Sequence, residues 1–161
     1  SIYDPPGSEA MAVKPIPDGF HTVTPYLVVQ GAAKLIAFLE QAFDATVHSR
    51  SERPDGTLMN AELKIGDSII MMGESQGEHK PRPSTIYLYV EDTDAVFARA
   101  LDAGAKSLME PADQFYGDRN GGIEDPSGNT WWIATHVEDV SPEEMDRRFK
   151  AYLAEQSGGK E

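Results

Sequence analysis

The hexapeptide TPYLVV, Thr24 to Val29, returns as TIYLYV at Thr85 to Val90, 61 residues downstream. In a chain of 161 residues that period leaves room for two copies of one unit and a little more. The same order of elements can be read around each copy. In the first half, Thr22 to Gln30 is rich in Val, Thr and Tyr and predicts a strand. Gly31 to Phe43 sets Ala32, Leu35, Ile36, Leu39, Ala42 and Phe43 at helical spacing. Ala45 to Glu52, Thr57 to Ile65 and Ser68 to Met72 predict three more strands, separated by Pro54-Asp55-Gly56 and Gly66-Asp67. In the second half, Ser84 to Glu91 alternates Ile86, Leu88 and Val90 against Thr85, Tyr87 and Tyr89. Asp92 or Thr93 can cap a helix through Ala103, with Gly104 at its stop. Lys106 to Glu110 then predicts a short strand, Pro111 to Arg119 a loop, and Asn120-Gly121 a hairpin turn. Asp125 to Asn129 makes a turn, and Thr130 to Thr135 closes the unit as a strand. Chance can match two hexapeptides of common strand residues, but not the whole element order around them.

The implied architecture is α+β, with β-α-β-β-β modules at residues 20–73 and 84–137 and a polar linker at 74–83. One such unit leaves an apolar sheet face uncovered, so two are expected to pair. Residues 138–161 form a C-terminal helix and tail. Ser141-Pro142-Glu143-Glu144 is a capping box, Met145, Phe149, Tyr152 and Leu153 make one apolar stripe, and the chain is expected to fray from Gln156. Residues 1–19 predict an irregular tail, of which the first ten read as loose or non-native, with Met11 as the expected start.

Composition narrows the function. Acidic residues outnumber basic ones 27 to 14, a formal net charge of −13, which repels phosphate backbones and anionic lipid. Nucleic acid and membrane partners are therefore not expected. There is no cysteine, so disulfides, thiolate nucleophiles and zinc–thiolate centres are excluded. With no long apolar run and no secretory signal in the sequence, a cytoplasmic protein is the expectation.

The opening strands and the run DQFYGDRNGGIEDPSGNTWWIATHVEDVSPEEM, residues 113 to 145, resemble the vicinal oxygen chelate superfamily. That superfamily holds glyoxalase I, bleomycin-resistance proteins and extradiol dioxygenases, and the chain is most similar to its PhnB-like branch. The resemblance spans about Phe20 to Arg147. It implies paired modules forming an open, cup-like sheet around a cavity, in a homodimer. In metal-using members each module gives one ligand from its first strand and one from its last. The matching positions here are Thr24 and Thr85, then Met71 and Trp132, the latter pair again 61 apart. Hydroxyl, thioether and indole are poor ligands for a catalytic divalent ion, so no metal and no cofactor are expected.

On the same resemblance, strand alternation sends Thr24, Tyr26 and Val28, with Thr85, Tyr87 and Tyr89, to the face that holds Met71 and Trp132. Such a surface suits a flat, partly apolar small molecule, or else simply fills the cup as core. Arg119, placed in a loop beside Asp118, either grips a ligand carboxylate or phosphate, or braces the loop through Asp118, Asp113 or Glu124. His136 lies on the cavity face of the last strand, as a general base or hydrogen-bond donor toward a ligand or as a strand-end histidine bonded to backbone. His21, His48 and His79 show no ligand spacing, and Glu62 reads as a solvated strand carboxylate. The expected function is metal-independent binding of a small, partly aromatic molecule, for sequestration or resistance. The alternatives are a glyoxalase-type lyase or isomerase, with or without a displaced metal site, and last a ring-cleaving dioxygenase.

Overall fold

The computed structural model describes residues 12–158, so the expectation for the first ten residues lies outside the described part. The first module runs β1 (Tyr26–Val29), α1 (Ala32–Phe43), β2 (Thr46–Glu52), β3 (Leu58–Ile65) and β4 (Ser68–Glu74). The second runs β5 (Thr85–Tyr89), α2 (Thr93–Asp102), β6 (Lys106–Asp113), β7 (Asp118–Glu124) and β8 (Thr130–His136), and α3 (Pro142–Gly158) follows. Each module folds its strands into an open four-stranded sheet, ordered β1-β4-β3-β2 and β5-β8-β7-β6. In both, the first and last strands are parallel neighbours, and Tyr26 pairs with Met71 as Tyr87 pairs with Trp132. The repeat is thus kept at the level of strand register. No described helix is long and apolar enough to cross a membrane.

Local chemistry explains the element ends. Both carboxylate oxygens of Glu74 accept from the N–H groups of Gly31 and Ala32, at 2.8 and 2.7 Å, which satisfies orphan donors and places an anion at the start of α1. Asp92 caps α2 by accepting from Ala95 N–H, and Ser141 accepts from Glu144 N–H at the start of α3. A single apolar core joins the modules. It contains Leu27, Leu35, Leu39 and Phe43 from the first and Phe97, Ile123, Trp131 and Ile133 from the second. Arg99 of α2 adds a polar clamp, donating from Nε and Nη2 to the carbonyl of Ala42 at the end of α1.

Several expectations are corrected. β1 starts at Tyr26 rather than Thr22, because Pro25 has no N–H to give and only its carbonyl joins the ladder, accepting from Met71. The loop expected over Pro111 to Arg119 shrinks to Gln114–Gly117. β6 continues to Asp113 as an edge strand, where the missing proline N–H costs no pairing. Asn120-Gly121 lies inside β7, and the hairpin turns instead at Gln114–Gly117. Gly121 serves packing: a Cβ there would stand 3.0 Å from the Phe97 ring of α2. α3 does not fray at Gln156 but runs to Gly158.

Candidate functional site

Each sheet carries its helix on one face, and the shared core lies between those helix-bearing faces. Both helix-free faces are consequently on the outside. On the first sheet that face presents Tyr26, Val28 and Met71, with Tyr26 50% exposed. On the second it presents Tyr87, Tyr89, Asn120, Trp132 and His136.

The turn at Asp125 sets which tryptophan looks which way. Its carboxylate accepts from Ser127 and Asn129 backbone N–H groups and, at 2.8 Å, from Trp131 Nε1. Trp131 is thereby anchored in the core against Phe43, at a ring separation of 5.0 Å. Strand alternation then turns Trp132 outward. Its ring lies over Gly122: a Cβ at that glycine would come 2.5 Å from Trp132 Cζ3. Ala134, the next residue on this face, is small and fully buried, and β8 pairs it with Tyr89 and Asn120.

The tyrosines converge on one buried carboxylate. Asp118 is 4% exposed, and its Oδ2 accepts from the Tyr87 and Tyr89 hydroxyls at 2.7 and 2.9 Å. Its Oδ1 faces His136 Nδ1 at 2.8 Å, while His136 Nε2 faces Asp139 Oδ1 at 2.7 Å. Buried Asn120 donates from Nδ2 to the hydroxyls of Tyr87 and Tyr116. Burial raises the Asp118 carboxyl, but hydrogen bonds from His136, Tyr87 and Tyr89 outweigh it and hold the group below its ordinary 3.8. The bond to Asp118, then that to Asp139, raises the His136 imidazole above 6.5. Burial, chiefly, pushes the Tyr87 phenol up, so it stays protonated.

Of the positions singled out in the sequence, Tyr26 with Met71, and Tyr87 with Trp132, are brought together as strand partners. The four do not meet within one chain, since each pair belongs to its own sheet. Thr24 stands before β1, donating to the His21 carbonyl, and Thr85 sits one pleat before Tyr87, opposite Thr130. Arg119 is corrected from loop to strand. It points to the helix-bearing side, where Nε and Nη2 grip both oxygens of Asp94 at 2.7 and 2.9 Å and Nη1 reaches Asp113. That is the bracing role, with Asp94 in place of Asp118. Asp118, expected with Arg119 at a pocket mouth, is brought into this face without Arg119, and Asn120 and Tyr116 join it with no local signal in the sequence. A cleft of about 1100 Å³ also runs along β5, lined by Phe43, Ile70, Ile86, Leu88, Val90 and Trp131.

Residues 19–133 match the model of the Glyoxalase/Bleomycin resistance protein/Dioxygenase superfamily. The chain belongs to this superfamily. An uncharacterized protein of Mycobacterium bovis, Mb0911c, is 37% identical over 134 residues, covering 76% of this chain and 88% of its own. The crystal structure of TioX from Micromonospora sp. ML1 matches with a TM-score of 0.62 at 22% identity, over 73% of this chain and 99% of that one. A Bacillus cereus PhnB protein, titled a putative 3-demethylubiquinone-9 3-methyltransferase, matches with a TM-score of 0.59 at 20% identity, over 71% and 99%. At these identities the two structures speak for the fold alone. The metal positions of a glyoxalase-like site do not fit an ion here. The four matching positions hold Thr24, Thr85, Met71 and Trp132, so hydroxyl, thioether and indole stand where ligands would; Glu62, the other strand partner of Met71, lies 3.8 Å from His48 Nε2.

Proposed function

We propose that the chain binds a small, partly aromatic molecule without a metal, against the Tyr87–Trp132 face, in a homodimer whose second copy supplies the Tyr26–Met71 face. The observation that supports this most is the outward placement of both aromatic faces around one helix-lined core. A face of this composition is apolar, flat and edged with hydroxyls, which favours stacking over coordination. Left open, it exposes Tyr87 by 42% and Tyr89 by 62%, and a second copy would close it into a pocket. β5 has a neighbour on one side only, leaving backbone groups free at that edge. Sequestration needs no reacting group, and the metal-free positions agree with it.

One observation favours a second reading, a glyoxalase-type lyase or isomerase: His136 is held by a buried carboxylate. With both ring nitrogens engaged by carboxylates it would act as a proton donor rather than a base. Intrinsic tryptophan fluorescence, read against a panel of flat aromatic compounds with sedimentation to fix the subunit number, tests the first reading. Trp132→Ala is expected to weaken the best uncharged compound by about tenfold or more, and His136→Ala by much less. A monomer at working concentration, or the reverse ranking of the two variants, contradicts the reading.

A further inference from the structure

His136 has a carboxylate at each ring nitrogen, Asp118 on Nδ1 and Asp139 on Nε2. Since carboxylates only accept, both nitrogens must donate, and the ring is an imidazolium. Its two partners are unlike. Asp118 is buried and fixed by two tyrosines, whereas the Asp139 side chain is fully exposed and reaches the ring from three residues away. An exposed local ion pair of that kind contributes little and is readily displaced.

Other polar groups on this face are already engaged in one direction. The Tyr87 and Tyr89 hydroxyls give their protons to Asp118, and Asn120 gives both of its own to Tyr87 and Tyr116. The donors left toward a ligand are the Tyr116 O–H, the Trp132 indole N–H, the hydroxyls of Thr85 and Thr130, and, as the one charged donor among them, His136 Nε2–H once Asp139 moves away. A ligand for this face therefore brings acceptors. His136 lies two pleats along β8 from Trp132, about 13 Å between Cα atoms, and the Tyr87 and Tyr89 rings fill the interval at a separation of 5.2 Å. Arg148, on α3, is held by Glu138 and Glu144.

We infer that the Nε2 edge of His136 is a carboxylate subsite, held in the free protein by the chain's own Asp139, and that the molecule taken on the Tyr87–Trp132 face is a flat aromatic carboxylic acid. This rests on the binding reading above and names its ligand class. Asp139 stands where the ligand carboxylate goes, so it acts as an internal competitor.

The test follows the indole N–H of Trp132 and the Nε2 of His136 by nitrogen NMR during titration of the full chain with acetate, 2-naphthoate and 2-naphthamide. In Asp139→Asn, an exposed and fold-neutral change, acetate is expected to shift His136 Nε2 at lower concentration than in the parent. 2-Naphthoate is expected to bind about tenfold tighter than the neutral amide, by a wider margin in Asp139→Asn and by none in His136→Gln. Equal binding of acid and amide in Asp139→Asn, or an Nε2 unmoved by acetate there, overturns the subsite. If acetate moves His136 but neither naphthyl compound moves Trp132, the subsite stands and the aromatic platform falls.

Discussion

The two sheets share a register and differ in what their outer faces do with it. On the first, Tyr26 of the pair Tyr26–Met71 sits beside Val28, Met59 and Gly73 in a small recess of about 390 Å³ that Arg53, Glu74, Gln76 and His79 also line. On the second, Tyr87 of the equivalent pair Tyr87–Trp132 is part of a connected network that ends in the Asp118 carboxylate. One copy of the repeat thus sets its tyrosine in a recess of mixed lining, and the other ties its tyrosines to a buried carboxylate. Duplication fixes backbone geometry, because the shared core constrains the helix-bearing faces. The outer faces carry no such constraint and are free to diverge.

The comparison is broken most severely at Asp118. Asp118→Ala strands two tyrosine hydroxyls and an imidazolium, and is expected to cost about 2–4 kcal/mol in urea unfolding. Tyr26→Phe on the first sheet should stay within about 0.5 kcal/mol. Similar losses would mean the two faces are equivalent after all.

Glycine substitutions sharpen the contrast. A Cβ at Gly73 would meet the backbone oxygen of Met59 at 2.8 Å as well as the Tyr26 hydroxyl. At Gly122 the three nearest atoms all belong to the Trp132 ring, a side chain rather than backbone. Gly73→Ala is therefore expected to cost stability, about 1–3 kcal/mol, while Gly122→Ala disturbs the stacking surface more than the fold. Thermal melts paired with aromatic-ligand titrations separate the two outcomes.

The smallest effect is on pH dependence. The folded value of His136 is raised, so its tether is fully present below about 6.5 and is lost as pH climbs through the raised value. The folded value of Asp118 is lowered, so its contribution holds above about 3.8 and fades as pH falls through the lowered one. Amide exchange at Val137 and Glu138, whose N–H groups bond to the Gly117 carbonyl, should accelerate beyond the intrinsic rate on the alkaline side. The ladder between β1 and β4 should show no matching step.

The fold was legible because the repeat carries both strand order and spacing: the 61-residue offset that joins Thr24 to Thr85 also joins the register pairs. Turn chemistry was the weaker signal. Asn120-Gly121 looks like a hairpin, but Asn120 uses its side chain to bond two tyrosines and Gly121 makes room for Phe97. Asp118 and Arg119 look like a pair because they are adjacent, yet neighbours on a strand face opposite ways. Asp118 joins the aromatic face and Arg119 braces α2. The buried network depends on contacts across three strands, such as Tyr87 to Asp118, and local periodicity does not report them. The one hint was the run of small residues, Gly122 and Ala134, facing large ones.

The most direct test is binding of 2-naphthoate by protein stripped with a chelator, measured calorimetrically before and after stoichiometric manganese, nickel, zinc or ferrous iron. Binding that is present in the stripped protein, unchanged by any ion and lost in Trp132→Ala is the result expected of an aromatic, metal-independent site. Binding that appears only after one of these ions is restored would contradict it.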